Sequence, residues 1–299
     1  MNNDISRFRG TGVAIVTPFR ESGAIDFESY EKVLDHVIGG GVDYVVALGT
    51  TGEAPALSKQ EKESIVEFTV DKINDRVPLV VGIGGNNTAE VVLAIQTLPL
   101  KGVDGILSVS PYYNKPQQEG IYRHFKAVAE ASPVPVILYN VPHRTGSNIA
   151  ASTTIRLACD FSNIVGTKEA SGNLDQIYQI LMHRPDHFLV ISGDDGLTLP
   201  MLAAGSDGVI SVVANGYPRE LSSMVRYGLE GNFDMARKIH FQLIDLIYAL
   251  FADGSPGGIK AVLELKGFCR DFVRLPLVPV NAVTRNLIQE LVNKIEPKK

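Results

Sequence analysis

The chain reads as an α/β protein, a (β/α)8 TIM barrel with a C-terminal helical domain. Three observations predict it. Short apolar runs alternate with longer amphipathic stretches up to about residue 230; the runs hardly alternate internally; and no Gly-rich nucleotide loop follows the first of them. Strands buried on both faces lose the in-out alternation of a half-exposed sheet, and regular strand–helix alternation implies parallel pairing. Eight such units close a barrel. An open doubly wound sheet is the competing fold, but the first strand runs into Thr17-Pro18-Phe19 where that fold places its phosphate loop.

The strands are predicted at Val13–Thr17, Tyr44–Leu48, Leu79–Ile83, Gly105–Val109, Val134–Tyr139, Ile164–Lys168, Phe188–Ser192 and Gly208–Val213. Between them the helical period marks Phe27–Ile38, Ser58–Lys72, Thr88–Leu98, Gln118–Glu130 and Asn173–Met182. Ser58 followed by Glu61 forms a capping-box pattern. After about residue 230 only helical stretches remain, near Phe233–Phe251, Ile259–Phe272 and Ala282–Ile295, and Gly254-Ser255-Pro256-Gly257-Gly258 breaks the first two. The division expected is a catalytic barrel over 1–230 and a helical domain over 231–299.

Composition narrows the function classes. A formal charge of -5 over 299 residues, with no Lys/Arg run, offers no footprint for nucleic acid or an anionic membrane. Cys159 and Cys269 are too few for a disulfide framework or a multi-cysteine metal site, and both read as buried small hydrophobes. Met1 to Gly10 lacks the apolar core of a signal peptide, and no stretch approaches the roughly 20 apolar residues of a membrane span. A soluble, cytoplasmic protein is expected.

Barrel enzymes carry their chemistry at the carboxyl ends of the strands. Those ends here read Gly49-Thr50-Thr51-Gly52-Glu53, Gly84-Gly85-Asn86, Ser110-Pro111-Tyr112-Tyr113, Tyr139-Asn140, Lys168-Glu169, Gly193-Asp194-Asp195 and Ala214-Asn215. Burial disfavours an ammonium, so a strand lysine either pairs with an acid or becomes a neutral amine able to attack a ketone. Lys168 is open to both readings, with Glu169 as the acid. Tyr139 offers a phenol for proton transfer. Arg144 is either a solvated loop residue or a fork for a carboxylate. The loop at Thr50 and Thr51 offers backbone N–H groups and hydroxyls to an anion. The Tyr112-Tyr113 doublet either packs the loop or holds a ring over the mouth. Asp194-Asp195 reads as helix capping or a polar wall in preference to a metal site, because no third ligand is evident. Gly82-Ile83-Gly84-Gly85 lacks the third glycine of a dinucleotide fingerprint.

Seven segments then appear in one order: Ala14–Phe19, Gly49–Glu53, Pro111–Asn114, Tyr139–Pro142, Arg144–Gly146, Lys168–Asn173 and Ser192–Asp195. In that order they resemble the pyruvate-dependent class I aldolases and, among them, the dihydrodipicolinate synthase family, from about Arg9 to the C-terminal helices. The resemblance implies an imine between Lys168 and pyruvate. It implies proton relay by Tyr139 with Thr50 and with Tyr113, which in this family reaches across a dimer interface. Thr50 and Thr51 would hold the pyruvate carboxylate, Gly193 and Ile210 would line its pocket, and Arg144 would bind the carboxylate of aspartate semialdehyde. It further implies a homotetramer, a dimer of dimers, and no metal, nucleotide or redox cofactor. Asn86, Glu90 and Tyr112 match the site where some members bind lysine as an inhibitor. Lys59 stands where inhibited members commonly carry a histidine or another non-cationic residue, which predicts weak or absent inhibition. Arg144-Thr145-Gly146 favours the synthase over the N-acetylneuraminate lyases and keto-deoxy sugar-acid aldolases. A non-catalytic keto-acid sensor is the third alternative.

Overall fold

Eight parallel strands close on themselves in sequence order, β1 pairing both β2 and β8. The computed structural model describes residues 5–296; the first four and last three residues of the two expected domains lie outside the described residues. The strands are β1 Gly10–Ala14, β2 Tyr44–Ala47, β3 Leu79–Gly82, β4 Gly105–Val109, β5 Val136–Asn140, β6 Ile164–Glu169, β7 Leu189–Ser192 and β8 Gly208–Ser211. All eight expected strands form.

The barrel lumen is packed by one cluster that includes Phe8, Tyr44, Val46, Val80, Ile137, Ile191 and Ile210. Phe8, from the turn Ile5–Phe8, sets its ring edge-on to Tyr44 at 6.0 Å. The larger cluster lies outside the strands, where helices bury their apolar stripes. These are α1 Phe27–Gly39, α2 Lys59–Ile73, α3 Thr88–Thr97, α4 Gln118–Ala131, the short α5 Pro142–Thr145, α6 Ala151–Asp160, α7 Leu174–His183, α8 Thr198–Ala203 and α9 Pro218–Leu229. The sequence marks no separate helix for α5, α6, α8 or α9. In α2 the capping box is complete, Ser58 accepting from the Glu61 N–H and Glu61 from the Ser58 N–H.

Several boundaries differ from expectation, and three of the differences have a local physical cause. β1 begins and ends three residues earlier than Val13–Thr17, since Gly10 and Gly12 are poor strand formers that nonetheless pair with β8 and β2. Ile15 to Thr17 therefore lie beyond the strand, and the Thr17 hydroxyl donates to the Gly52 carbonyl at 2.7 Å. β8 stops at Ser211 because the N–H groups of Val212 and Val213 donate to the Asp195 carboxylate instead of a ladder. Past the barrel come α10 Phe233–Ala249, α11 Gly257–Leu265 and α12 Ala282–Ile295. α11 ends well before Phe272, and Gly267 with φ +79° turns the chain back toward the barrel. α10 packs on the turn Asp195–Leu197 after β7, and α11 on the turn Val213–Asn215 after β8.

Cys269 is buried as expected, but Cys159 is exposed. It falls on the outward stripe of α6 with Arg156 and Asp160, three and one residues away. Among the described residues no helix is long and apolar enough to cross a membrane.

Candidate active site

Parallel pairing brings β5 and β6 into a register in which Tyr139 faces Lys168 and Asn140 faces Glu169. Successive strand residues point to opposite faces, so Lys168 and Glu169 diverge. Glu169 turns to Asn140, whose amide donates to both its oxygens at 3.1 Å, and to the Ser171 N–H at 2.8 Å. Among the described residues no carboxylate lies within ion-pair distance of Lys168. The ion-pair reading of that lysine is set aside by the geometry of the strand.

Lys168 is buried, with Nζ 4.5 Å from the centre of the Tyr139 ring. Burial pulls its pKa down to about 8; the Asp195 carboxylate works against that fall and the Arg144 guanidinium adds to it. At pH 7 about one such lysine in ten is neutral, against about 0.03% for an ordinary lysine at its usual pKa. Tyr139 is buried as well, and burial raises its phenol pKa, opposed by the Arg144 charge and by a hydrogen bond with Thr50. A neutral phenol beside a partly neutral amine is an arrangement suited to proton exchange.

The loop after β2 is fixed at both ends by residues in the left-handed region, Leu48 at φ 55° and Glu53 at φ 54°. Within it the Gly52 N–H donates to Gly49 O at 3.1 Å and the Glu53 N–H to Thr50 O at 3.0 Å. Thr51 is buried and Thr50 exposed at the mouth. Arg144 stands exposed on α5, which Gly146 ends in the left-handed conformation at φ 69°. Among the described residues Arg144 makes no ion pair. Gly193 follows β7 directly beneath the Lys168 stem, and Ile210 of β8 is buried in the lumen cluster. Lys168, Tyr139, Thr50 and Arg144 are thus linked electrostatically or by contact, from three strand ends, those of β2, β5 and β6.

A cavity of about 630 Å³ opens beside this group. Thr50 and Tyr139 line one part of it, and Lys59, Lys62, Glu90 and Tyr112 another. Asn86 is not on its wall; its carbonyl accepts from the Asn114 amide at 3.1 Å. Of the tyrosine doublet, Tyr112 faces the cavity while Tyr113 is 87% exposed, with φ 72°. Asp194 caps the turn after β7, accepting from the Gly196 and Leu197 N–H groups, as the capping reading expects. Among the described residues no cluster of His, Cys, Asp and Glu suited to a metal is present. For Asp195 the sequence offers helix capping or a polar wall; its buried carboxylate acts on the Lys168 charge and accepts from the backbone after β8.

The chain belongs to the dihydrodipicolinate synthetase family, whose sequence profile matches residues 7–295. It is 52% identical over 274 residues to the 4-hydroxy-tetrahydrodipicolinate synthase of Flavobacterium psychrophilum, covering 92% of this chain and 94% of that one. It is 48% identical over 290 residues to the synthase of Parabacteroides distasonis, covering 97% and 98%. Its fold matches the chloride-inhibited dihydrodipicolinate synthase of Acinetobacter baumannii complexed with pyruvate at a TM-score of 0.93, with 36% identity and coverage of 96% and 98%. The activity is that of a 4-hydroxy-tetrahydrodipicolinate synthase, a lyase of lysine biosynthesis. The sugar-acid lyase and sensor alternatives fall with that finding.

Proposed function

We propose that Lys168 is the nucleophile and that the reaction joins pyruvate to L-aspartate 4-semialdehyde through a lysine imine. One observation carries this reading: a buried amine with a pKa near 8, in ion-pair reach of no carboxylate among the described residues, against the ring of its register partner Tyr139. The neutral amine adds to the pyruvate ketone, water leaves, and the iminium acidifies the methyl group. Loss of a methyl proton gives an enamine, whose carbon attacks the aldehyde. The amine of the second substrate then adds at the iminium carbon and expels Lys168 as the ring closes. The lysine is itself the electron sink, so the sequence of steps calls for no metal or redox cofactor.

Tyr139 relays protons with Thr50, and Tyr113 of a second copy completes the relay. The Thr50–Tyr139 hydrogen bond and the large exposed ring of Tyr113 support these roles. Thr50 and Thr51 hold the pyruvate carboxylate, and Gly193 and Ile210 line the pocket beside the Lys168 stem. Arg144, exposed and without an ion pair among the described residues, receives the carboxylate of the semialdehyde. The pyruvate bound by the Acinetobacter baumannii synthase supports pyruvate as the first substrate. A cytoplasmic homotetramer, a dimer of dimers, with residues 1–230 as catalytic barrel and 231–299 as helical domain, completes the reading. Asn86, Glu90 and Tyr112 form the inhibitory lysine site, weakened by Lys59.

Borohydride reduction with pyruvate followed by peptide mapping tests the mechanism: the adduct is expected on Lys168, and its absence there overturns the assignment. Arg144→Ala separates the two substrates. Trapping with pyruvate is expected to survive while turnover collapses; loss of both together would make Arg144 structural.

A further inference from the structure

A second buried lysine stands outside the group of residues around Lys168. Lys260 of α11 and Glu53 of the Thr50–Thr51 loop form an ion pair of 2.5 Å with both side chains fully inaccessible. Removing two charges from water is costly, and a pair of this kind persists where its remaining hydrogen-bonding positions are filled. Here they are. Lys260 Nζ also donates to the Phe272 carbonyl at 2.7 Å, and the second Glu53 oxygen accepts from the Arg274 N–H at 2.9 Å. Phe19, in the loop after β1, lies between the two cations, 4.3 Å from Lys260 Nζ and 4.4 Å from the Arg274 guanidinium carbon. Arg274 then grips Glu61 with both guanidinium nitrogens and the Ala56 carbonyl with one.

Apart from the Lys260–Phe272 bond, these contacts reach the stretch from Glu53 to Glu61 or the loop after β1, and every donor comes from residues 260–274. The backbone they hold is one that a side chain disfavours: left-handed φ at a residue other than glycine is strained and persists only where surrounding contacts over-determine it. Glu53 is in that conformation, two residues after Thr51, and its N–H closes the turn onto the Thr50 carbonyl. An ion pair serving stability alone has no need to sit at one of the two strained joints of the substrate loop.

We propose that Glu53 and Lys260 are positioning residues, a clamp by which the C-terminal helical segment holds Thr50 and Thr51 in the geometry that receives the pyruvate carboxylate. The inference rests on the assignment of that carboxylate to Thr50 and Thr51. It gives α11 and the segment after it a part in substrate binding although neither carries a group that touches substrate.

The test is steady-state kinetics with each substrate varied, on the full chain. The double variant Glu53→Gln/Lys260→Met removes both charges at similar volume, leaving no buried ion unpaired. Glu53→Asp keeps the pair but shortens the arm by one methylene, and decides the matter if the double variant fails to fold. Both are expected to raise the KM for pyruvate about tenfold, as misplacement of a binding group by a fraction of an ångström does, with the KM for aspartate semialdehyde within about twofold of the parent. A merely structural loss lowers the folded fraction and hence the apparent kcat, and moves neither KM. Thr51→Val is run alongside. If it raises the pyruvate KM and the clamp variants do not, the clamp is wrong and the loop assignment stands; if none of the three raises it, the loop assignment itself is wrong.

Discussion

The stem of Lys168 crosses Gly193 so closely that a Cβ at residue 193 would lie 3.0 Å from Lys168 Cγ and 3.1 Å from Cε, and 2.8 Å from the Ala170 Cβ. No real side chain tolerates the last of these, and Ala170 is buried. Glycine is required here for clearance, so that the lysine stem can pass and set its amine against the Tyr139 ring.

Gly193→Ala is therefore expected to displace the lysine stem. A misplaced nucleophile loses about 10- to 100-fold in rate, and overpacking costs about 1–3 kcal/mol. The rate of borohydride trapping with pyruvate, set beside thermal unfolding, measures both. Trapping at the parental rate would show that the stem has another path.

The two charges acting on Lys168 have opposite signs, and their removal should move the pH dependence of imine formation in opposite directions. Asp195 favours the ammonium, so Asp195→Asn lowers the pKa from about 8 and carries the rising limb to lower pH. Arg144 disfavours it, so Arg144→Ala raises the pKa and carries the limb to higher pH. Stopped trapping reactions between pH 6 and 10, about two units either side of the midpoint, read the shifts. Shifts of one sign in both variants would contradict the electrostatic account.

Lys59 lies on the same cavity wall as Glu90 and Tyr112, its Nζ only loosely paired with Glu63 at 3.9 Å. Such an exposed pair neutralises little of the charge. Lysine in the millimolar range is expected to inhibit the parent enzyme weakly or not at all, and Lys59→His to gain inhibition. Strong inhibition of the parent would remove Lys59 as the determinant.

Ser58→Ala deletes one half of the capping box of α2. The loss of an N-cap costs about 1 kcal/mol, which for a chain of this size lowers Tm by about 2 °C. Glu61 also holds Arg274, and that contact keeps the Glu61 carboxyl low, at about 2. Ser58→Ala leaves this ion pair in place, so the pyruvate KM should not change. Thermal unfolding and the same kinetics check the two halves of the expectation.

Most of the architecture was legible from local chemistry. Strand positions follow from Val- and Ile-rich runs, α2 from Ser58 and Glu61, and the proposed nucleophile from one lysine inside an apolar strand. Such signals arise between residues a few positions apart, and they survive in a linear reading because propensity and capping are local. The frame of β1 was misread for a related reason: Gly10 and Gly12 belong to a strand only because β2 and β8 stand on either side.

The sequence by itself determined the barrel, the order of its strand ends and the residue types that gather there, because hydrophobic period and turn chemistry are written in neighbouring positions. Closure of the barrel decided the rest. It set Tyr139 beside Lys168 and turned Glu169 away, brought Asp195 to the backbone after β8, and joined Glu53 to Lys260 across 207 positions. It also turned Cys159 outward on α6. Burial and long-range pairing depend on what surrounds a residue in space, and that environment exists only once eight strands and the helices outside them have packed.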